Sequence, residues 1–454
     1  MKNDKKHLAN VKKTFYIKNF GCQMNTSDSE IVTSILLNNN FDLSPKIEKA
    51  NIILLNSCSI REKAEITLKN KIKELKNFRK KNNIIGVIGC ISKIMLKNLI
   101  KNHQIDFFSN PTYYKELPHI IQSSIKGYKI YSFPKKKETY EDVIPFKKPL
   151  PHKKKVTTIM SITRGCNNMC TFCIVPFTRG REISRNPFSI INECKNLFKN
   201  GYKEITLLGQ NVDSYLWNSS HIDKSKYINF SKLLNILATE IPHMRIRFTT
   251  SNPHDMSDDV LKTISQHENI CKHIHLPVQS GSNKILKLMN RKYSREEYLS
   301  LIKRIRNIIP DCSISHDIMT GFCNEEEYDH LETINLMKKV KYNYGYMFAY
   351  SPRPGTYAYK TLEDNVPYSI KKKRLSEIIS LQRKHSFFRM KEYIGKIQQV
   401  LIEGESKKSP KYWYGRNTQN IVVVFLKNKF KIGDIINVKI IDITSSTLIG
   451  EDCL

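Results

Sequence analysis

The segment Thr163-Arg164-Gly165-Cys166-Asn167-Asn168-Met169-Cys170-Thr171-Phe172-Cys173 decides how the rest of the chain is interpreted. It places three cysteines within eight residues, in the pattern Cys-x3-Cys-x2-Cys. Three thiolates at this spacing can hold three irons of a cubane cluster and leave the fourth iron open. A structural zinc site would need a fourth Cys or His nearby, and none follows soon after Cys173. The segment therefore predicts a 4Fe–4S cluster whose open iron binds a substrate or cosubstrate.

Composition limits the class of protein. The 454 residues are enough for two or three domains. The sequence contains no apolar run of membrane-spanning length, and its start has no hydrophobic segment of the signal-peptide type. An odd count of 11 cysteines, some tightly clustered, then indicates reduced thiols and metal ligands instead of disulfides. We therefore expect a cytoplasmic protein with no membrane partner.

The chain is strongly basic. Its 75 Lys and Arg residues exceed its 42 acidic residues, giving a net charge of +33. Such a charge is typical of a protein with a polyanionic partner such as nucleic acid. The sequence is also rich in Lys, Asn and Ile, so a coding bias accounts for part of the charge. We interpret the remainder as a nucleic-acid footprint.

The N-terminal region alternates strand-like and helix-like stretches from residue 14 to about 130. Such a βαβαβ pattern predicts a parallel sheet. The predicted elements are the strands Thr14–Phe20, Ile52–Leu55 and Ile84–Ile88 and the helices Ser29–Asn39 and Ile60–Lys80.

Three cysteines follow the three predicted strands of this region. Cys22, Cys58 and Cys90 are 36 and 32 residues apart, about one strand and crossover each. Because the carboxyl ends of parallel strands share one edge of a sheet, the three are expected to converge. The alternative is that each is a small buried hydrophobe at a strand end. The repeated placement favours a second iron–sulfur cluster.

The middle of the chain predicts a partial or full β/α barrel. Its candidate strands are Val156–Ile162, Ile205–Leu208, Arg245–Thr250, His273–Val278, Ser313–Met319 and Tyr344–Tyr350. The site of such a barrel lies at the carboxyl ends of the strands. The residues expected at that rim are Gln210, Asn211, Thr250, Ser251, Gln279, Ser280, Gly321 and Ser351.

The end of the chain predicts a small antiparallel β-barrel after a long charged helix, Ser369–Tyr393. Its predicted strands are Gln398–Ile402, Ile421–Phe425 and Ile435–Ile443. Tyr412, Trp413 and Arg416 interleave aromatic and basic side chains, which suits stacking on unpaired bases and contact with phosphate. Hydrophobic packing of Trp413 is an equal alternative.

Several motifs resemble those of the methylthiotransferases, a family of radical S-adenosylmethionine (SAM) enzymes. The resemblance covers nearly the whole chain in order. It is carried by Phe20–Asn25, Asn56–Glu65, Gly89-Cys90, Cys166–Glu182, Leu207–Val212, His275–Ser282 and Tyr350–Thr356, together with a tail similar to a TRAM domain, a small RNA-binding barrel. The stretch Cys58–Glu65 is most similar to the branch that makes 2-methylthio-N6-dimethylallyladenosine in tRNA.

The resemblance implies a division of the chain and of its cofactors. It implies an N-terminal methylthiotransferase domain over 13–130, a basic Pro/Lys linker over 131–151, a radical SAM core over 152–390 and a TRAM domain over 393–454. Cys166, Cys170 and Cys173 would bind the radical SAM cluster, and Cys22, Cys58 and Cys90 an auxiliary 4Fe–4S cluster that supplies or carries sulfur. Phe172, Gln210, Asn211, Gln279 and Ser280 are candidates to contact SAM. No catalytic side chain beyond the cluster ligands is predicted.

The implied reaction is insertion of a methylthio group at C2 of N6-dimethylallyladenosine beside the anticodon. A carbon radical makes that unreactive C–H bond accessible, and the cofactors carry the step. The implied partners are tRNA and an electron donor such as flavodoxin or ferredoxin, and we expect a monomer. Alternatives are the same chemistry on threonylcarbamoyladenosine of tRNA or on a ribosomal-protein aspartate, or a non-catalytic iron–sulfur RNA-binding protein.

One motif departs from the family pattern. Where members usually show Gly-Phe-Pro-Gly-Glu, this chain has Gly321-Phe322-Cys323-Asn324-Glu325. Asn tolerates a left-handed backbone better than most residues, so loss of that Gly is expected to be mild, whereas loss of the Pro loosens the turn. We predict that the remaining thiols, of Cys194, Cys271, Cys312, Cys323 and Cys453, are not ligands, and that His273, His275 and His316 are hydrogen-bonded core or rim residues.

Overall fold

The computed structural model describes residues 12–58, 62–77, 83–132, 138–147, 155–218 and 227–453. Within these ranges no helix has both the length and the apolar character needed to cross a membrane. The chain divides into two compact units. Unit 1 comprises Met1–Lys148, Arg164–Asn167 and Cys173–Ile183, and unit 2 comprises Pro149–Thr163, Asn168–Phe172 and Ser184–Leu454. Parts of the predicted linker, 133–137 and 148–151, lie outside the described residues, as do residues 60, 61 and 78–80 of the predicted second helix.

Unit 1 is built on a parallel sheet, as the alternation of strands and helices predicted. Its described strands pair in the order β2-β1-β3-β4-β5-β6, with every pairing parallel. Along the chain, the elements of this sheet and its flanking helices are β1 (Thr14–Asn19), α1 (Gln23–Leu37), β2 (Asp42–Leu43), a 3₁₀ turn (Ile47–Lys49), β3 (Ile52–Ser57), α2 (Glu62–Asn77), β4 (Ile84–Gly89), α3 (Lys93–Lys101), β5 (Phe107–Ser109), a second 3₁₀ turn (Tyr114–Glu116), α4 (Leu117–Ile125) and β6 (Ile130–Tyr131).

Helices cover both faces of the sheet. Strand β3 is buried at every residue, as expected for a central parallel strand. Its side chains alternate between two cores: Leu54 packs with residues of α1 and α4, and Leu55 packs with residues of α2 and α3. The helices on the two faces hold the strands in place.

Helix α1 begins six residues earlier than predicted, at Gln23 instead of Ser29. The polar run Asn25-Thr26-Ser27-Asp28 has weak helix propensity, so the sequence pattern did not indicate a helix there. In the structure Asn25, Ser27 and Asp28 are buried. Tertiary contacts therefore override local propensity, and Cys22 becomes the N-cap residue of the helix.

The elements after β6 continue the alternation of strands and helices. They are β7 (Thr157–Ser161), β8 (Thr163–Arg164), α5 (Val175–Arg179), β9 (Ile183–Ser184), α6 (Pro187–Lys199), β10 (Glu204–Leu208), β11 (Leu216–Asn218), β12 (Tyr227–Asn229), α7 (Phe230–Glu240), β13 (Arg245–Thr249), α8 (Asp258–Gln266), β14 (His273–His275), α9 (Asn283–Leu288), α10 (Arg295–Ile308), β15 (Ser313–Thr320), α11 (Glu327–Val340), β16 (Tyr344–Ala349), α12 (Tyr357–Thr361) and α13 (Tyr368–Lys391). Helix α5 belongs to unit 1.

The large core of unit 2 is a partial β/α barrel, as predicted. Two parallel three-stranded sheets, β13-β10-β7 and β14-β15-β16, are linked by a bridge between Ile246 and Ile270. All six predicted strands are present. Strand β14 stops at His275, three residues earlier than predicted, because Pro277 has no N–H to donate to the ladder. The backbone still follows β15, since Gln279 N donates to Asp317 O at 2.8 Å.

The end of the chain forms a closed five-stranded barrel in the order β17-β18-β19-β21-β20. Its strands are β17 (Ile397–Glu405), β18 (Tyr412–Asn417), β19 (Val422–Leu426), β20 (Ile435–Ile443) and β21 (Thr447–Asp452). Two corrections apply to the predicted antiparallel barrel. Strands β18 and β21 were not predicted, and β19 pairs with β21 in parallel. The remaining four pairings are antiparallel.

Two buried arginines of β13 join the small barrel to the larger one within unit 2. Arg247 donates to the carbonyl groups of Asn417 at 2.5 Å and Thr418 at 3.0 Å, and Arg245 donates to carbonyl groups of β17 and β18. Glu204, almost fully buried, pairs with Arg247 at 2.8 Å. Glu204 lies at the start of β10, and Arg245 and Arg247 lie at the start of β13. The small barrel therefore adjoins the amino-terminal ends of the strands, opposite the predicted site rim.

Trp413 supports the core of the small barrel. It is 6% exposed and packs with Val423, Phe425 and Val438, with the Lys427 ammonium 4.4 Å from its ring. We expect Trp413→Ala to lower the free energy of unfolding by about 3–5 kcal/mol. Urea denaturation followed by circular dichroism measures this. Tyr412→Ala, on the exposed side of the same strand, is the matched control and should change stability by less than about 0.5 kcal/mol. Equal effects of the two changes would contradict the buried placement of Trp413.

Gly89, the last residue of β4, has a backbone that only glycine accommodates. Its φ is +90°, and a Cβ there would lie 2.4 Å from Asn56 Oδ1 and 2.6 Å from Ser57 O. Gly127 has a similar φ of +94° but no atom within 4 Å of such a Cβ. Both alanine variants share the left-handed strain, so Gly89→Ala should be less stable than Gly127→Ala by a further amount of about 1–3 kcal/mol from crowding. Thermal unfolding of the two variants side by side tests the difference.

Candidate iron–sulfur site

The structure brings Cys22, Cys58 and Cys90 together at one edge of the unit 1 sheet. They follow the neighbouring strands β1, β3 and β4. Cys58 and Cys90 are 1% and 0% exposed. Cys22 shares a hydrogen bond with Cys58 and lies close enough to Cys90 for their charges to interact. The convergence expected from the strand ends is therefore observed.

Two buried amides fix the loops that carry these cysteines. Asn25 Nδ2 donates to Asn56 Oδ1 at 2.8 Å and to Ser57 O at 2.6 Å. Asn56 Nδ2 returns a bond to Asn25 O at 2.7 Å. The Cys22 thiol donates to Asn25 Oδ1 at 3.3 Å. The motifs around Cys22 and Cys58 are thus locked to each other by side chains that sequence reasoning did not single out.

The surroundings of Cys22 favour its thiolate. Its pKa is lowered to about 5, first by the hydrogen bond from Cys58, then by the Arg179 charge and the backbone N–H groups of Met24 and Asn25, against the opposing effect of burial. Burial raises the pKa of Cys90, and Arg179 partly offsets that rise. The thiolate is the form that binds metal, so the lowered pKa of Cys22 suits its predicted role as a ligand.

Three charged side chains lie behind the cysteines. Asp28 is fully buried and pairs with Arg164 at 2.5 Å and Arg179 at 2.8 Å. The two guanidinium groups hold the pKa of Asp28 below its usual value despite burial. Sequence reasoning missed this triplet. A signal was present, because Thr-Arg-Gly occurs twice, at 163–165 and 178–180, on either side of the Cys166–Cys173 motif.

The donor set of this edge consists of thiols alone. A set made only of thiols is the usual ligand set of iron–sulfur clusters. Within the described ranges, no three His, Cys, Asp or Glu side chains are arranged as ligands of a single metal ion. The neighbouring arginines suit the negative charge that such a thiolate-bound cluster carries.

The three cysteines of the compact motif are divided between the units. Cys166 and Cys173 belong to unit 1, and Cys170 belongs to unit 2. In unit 1, Cys166 N donates to Gly180 O at 3.2 Å. In unit 2, Arg291 Nη1 donates to Cys170 Sγ at 3.3 Å. Their role as ligands of the radical SAM cluster stays a prediction.

The predicted SAM contacts occupy the rim of the partial barrel. Gln210 and Asn211 follow β10, and each has a buried side-chain oxygen without a partner among the described residues, Gln210 Oε1 and Asn211 Oδ1. Two orphaned acceptors of this kind suit a ligand with a donor such as the amino group of SAM. Gln279 has a φ of +71°, and the Ser280 hydroxyl lies 3.3 Å from the Thr333 hydroxyl. Their contact with SAM stays a prediction.

The loop that departs from the family pattern is well held. Asn324 has a φ of +61°, so it adopts the left-handed backbone that the replaced glycine would supply. Cys323 is fully buried next to Phe322 and Tyr350. Glu325 Oε1 accepts from Gly321 N at 2.8 Å, which closes the turn. The altered sequence therefore keeps a closed turn at this loop, and the expected loosening from loss of the proline stays a prediction.

Phe172 lies against this loop in unit 2. Its ring centroid is 6.4 Å from that of Phe322, in an edge-to-face arrangement, and it is only partly buried. Thr171 next to it is anchored, because its N–H donates to Met289 O at 3.1 Å. A partly exposed aromatic ring on a fixed backbone can cover a purine base, which is the role predicted for Phe172.

The three predicted RNA contacts have different surroundings. Trp413 is buried in the small barrel, so the packing alternative describes it. Arg416 is bound to Glu403 at 2.6 Å and to Asn420 at 3.0 Å. Tyr412 is 38% exposed. Of the three, Tyr412 has the ring that reaches solvent, and its contact with RNA stays a prediction.

Most of the other thiols are buried, and the core histidines are hydrogen-bonded. Burial raises the pKa of Cys194, Cys271, Cys312 and Cys323, which keeps these thiols protonated, whereas Cys453 is exposed near the chain end. His273 and His275 both bond the Ser315 hydroxyl, and His316 bonds Gln382 at 2.9 Å. The prediction of hydrogen-bonded histidines is confirmed.

Comparison with known families identifies all three parts of the chain. Residues 160–337 match the radical SAM superfamily, and residues 391–451 match the TRAM domain. Residues 14–109 match a family described as uncharacterized protein family UPF0004. Among solved structures, the radical S-adenosylmethionine methyltransferase TsrM from Kitasatospora setae shares the fold, with a TM-score of 0.55, 9% identity, and coverage of 74% of this chain and 73% of that one.

Similar sequences span the full length. A tRNA-2-methylthio-N(6)-dimethylallyladenosine synthase from Karelsulcia muelleri (strain GWSS) is 56% identical over 97% of this chain and 99% of its own. Synthases of the same name from Christiangramia forsetii and Bacteroides fragilis (strain ATCC 25285) are 49% and 46% identical, covering 97% and 99% of this chain and 94% and 97% of their own. Identity of this extent over both lengths places the chain in the family of tRNA-2-methylthio-N(6)-dimethylallyladenosine synthases.

Proposed function

We propose that this protein is a radical SAM tRNA methylthiotransferase that inserts a methylthio group at C2 of N6-dimethylallyladenosine beside the anticodon. The observation that carries the proposal is the similarity, at 46–56% identity and nearly full length, to synthases named for that product. The order of radical SAM and TRAM parts agrees with it. The departure at Cys323-Asn324 does not weaken it, because the loop keeps its turn.

Membership of the radical SAM superfamily implies a 4Fe–4S cluster and SAM. Bound together, they supply the carbon radical that the reaction needs. Cys166, Cys170 and Cys173 are the residues we assign to that cluster. Gln210 and Asn211 would orient SAM through their orphaned side-chain oxygens, and Phe172 would cover its adenine. The task of these side chains is to hold and orient SAM while excluding water.

We assign a second 4Fe–4S cluster, the auxiliary cluster, to Cys22, Cys58 and Cys90. Their convergence at one sheet edge supports this assignment. So does the lowered pKa of Cys22. In this site the protein fixes the ligand loops through Asn25 and Asn56, so that the sulfur source keeps one position relative to the sheet.

The substrate side of the proposal is a tRNA anticodon loop. A net charge of +33 and a TRAM barrel suit a phosphate backbone, and Tyr412 offers an exposed ring for a splayed base. We further propose that the protein acts in the cytoplasm as a monomer and takes electrons from a flavodoxin or ferredoxin.

The substrate assignment is tested in a bacterial host deleted for its own enzyme. Expression of this chain should restore 2-methylthio-N6-dimethylallyladenosine in bulk tRNA, measured by mass spectrometry of nucleosides. If the cells hold soluble and cluster-loaded protein but their tRNA contains only N6-dimethylallyladenosine without the methylthio group, the assignment is contradicted. Appearance of methylthiolated threonylcarbamoyladenosine would instead show that the enzyme acts on threonylcarbamoyladenosine of tRNA.

Alanine substitutions in the two cysteine sets should have different effects on methylthiolation and on SAM cleavage. Cys22→Ala, Cys58→Ala or Cys90→Ala should abolish methylthiolation, because the sulfur source is lost, while SAM is still cleaved. Cys170→Ala should abolish both. Chromatography of 5′-deoxyadenosine and of nucleosides under reducing, oxygen-free conditions separates the two activities. Cys453→Ala, an exposed thiol outside both sets, is the control and should retain both. Full methylthiolation by a Cys58→Ala protein would overturn the two-cluster assignment.

A further inference from the structure

The triplet of Asp28, Arg164 and Arg179 leaves one positive charge buried in unit 1. All three side chains are almost fully buried, and the ion pairs that the structure shows for both arginines go to the same carboxylate. The Tyr114 hydroxyl lies 3.5 Å from Asp28, and the Tyr140 ring lies 4.9 Å from the Arg164 guanidinium. Among the described residues, the further groups whose negative charge reaches Arg179 include the thiols of Cys22 and Cys90. A buried charge without a counter-charge is costly unless a bound group balances it.

Each arginine also keeps a hydrogen-bond donor unused. Arg164 Nη1 and Arg179 Nη1 are buried and have no partner among the described residues. Buried donors are almost always paired in folded proteins, so an orphan on a charged group points to a missing acceptor. The charge and the two donors together suit an anionic group that accepts hydrogen bonds.

Arg179 is the better placed of the two for the cysteine edge. It ends helix α5, and its charge acts on both Cys22 and Cys90. The preceding residue, Thr178, hydrogen-bonds the Cys90 thiol and gives its carbonyl to Asn110 at 2.8 Å, which fixes the end of α5 beside the β4 loop. Arg179 therefore lies beside the edge of the sheet at which these cysteines converge.

We propose that Arg179, held in place by Asp28, is a positioning residue for the auxiliary cluster, donating its unused Nη1–H to a sulfur of the cluster and balancing the cluster's negative charge. This inference rests on the auxiliary cluster assigned under the proposed function. Hydrogen bonds to cluster sulfurs and nearby charge are the main means by which a protein sets the reduction potential of such a cluster. Arg179 therefore makes the cluster easier to reduce, and Asp28 opposes that effect.

The test isolates the auxiliary cluster. A full-length parent protein carrying Cys166→Ala, Cys170→Ala and Cys173→Ala is reconstituted without oxygen, and its reduction potential is measured by titration followed with electron paramagnetic resonance. Arg179→Gln added to this parent should shift the potential to more negative values, and Asp28→Asn should shift it to more positive values. A purely structural triplet would not give shifts of opposite sign. Arg181→Gln, an exposed arginine two residues away, is the matched control and should leave the potential unchanged.

Cluster retention provides a second measurement. Competition with an iron chelator should show an apparent affinity for the cluster about tenfold lower in Arg179→Gln, and close to the parent value in Arg179→Lys, which keeps the charge. The inference is equally supported if the Arg179→Gln protein is folded but loses its iron while the Arg179→Lys protein keeps it. An Arg179→Gln protein with the potential and chelator resistance of the parent overturns the inference. A folded parent that binds no cluster overturns the auxiliary cluster itself, and this role of Arg179 with it.

Discussion

The buried carboxylate of Asp28 is the constraint on which the organisation of unit 1 depends. It joins helix α1 to two segments that lie more than 130 residues further along the chain, Arg164–Asn167 and Cys173–Ile183. Those segments carry Cys166 and Cys173. They belong to unit 1 together with the N-terminal sheet, whereas the chain before and after them builds the barrel of unit 2. A carboxylate in this position cannot be replaced by an apolar side chain alone, because two cations would then remain buried without a counter-charge.

The two ends of the unit 2 strands carry different polar groups. At the carboxyl ends, Gln210 Oε1 and Asn211 Oδ1 are buried and have no hydrogen-bond partner among the described residues. At the amino ends, Arg245 and Arg247 bind the small barrel, and Glu204 pairs with Arg247. The TRAM domain therefore adjoins the amino ends of the strands, whereas the predicted SAM contacts lie at the carboxyl ends.

Much of this architecture could be predicted from the sequence, for reasons of pattern. The alternating strands and helices, the six strands of the partial barrel and the convergence of Cys22, Cys58 and Cys90 follow from local hydrophobic periodicity and from the shared edge of parallel strands. What could not be predicted depends on distant partners. Asp28 is one polar residue in a polar run until Arg164 and Arg179 reach it, and the same run conceals the start of α1.

The small barrel shows the same limit. The segment around Trp413 predicted exposed aromatics with basic neighbours and hydrophobic packing equally well, because strand alternation places Tyr412 and Trp413 on opposite faces and the sequence does not say which face is inside. The parallel pairing of β19 with β21 is a second example. It depends on which edge of the sheet the last strand reaches, and a local pattern of apolar residues carries no information about that edge.

The altered loop at Gly321–Glu325 bears on whether the chain is a working enzyme. Replacement of a proline and a glycine would argue against catalysis if the new residues could not form the turn. The structure shows that they form it. Asn324 adopts the left-handed conformation and exchanges two hydrogen bonds with Asn365, at 2.9 and 2.7 Å. Cys323 fills an apolar cluster beside Phe322, which in turn contacts Phe172. Because the substitutions preserve the support of the predicted SAM contact, the departure removes the main sequence argument for a non-catalytic RNA-binding protein.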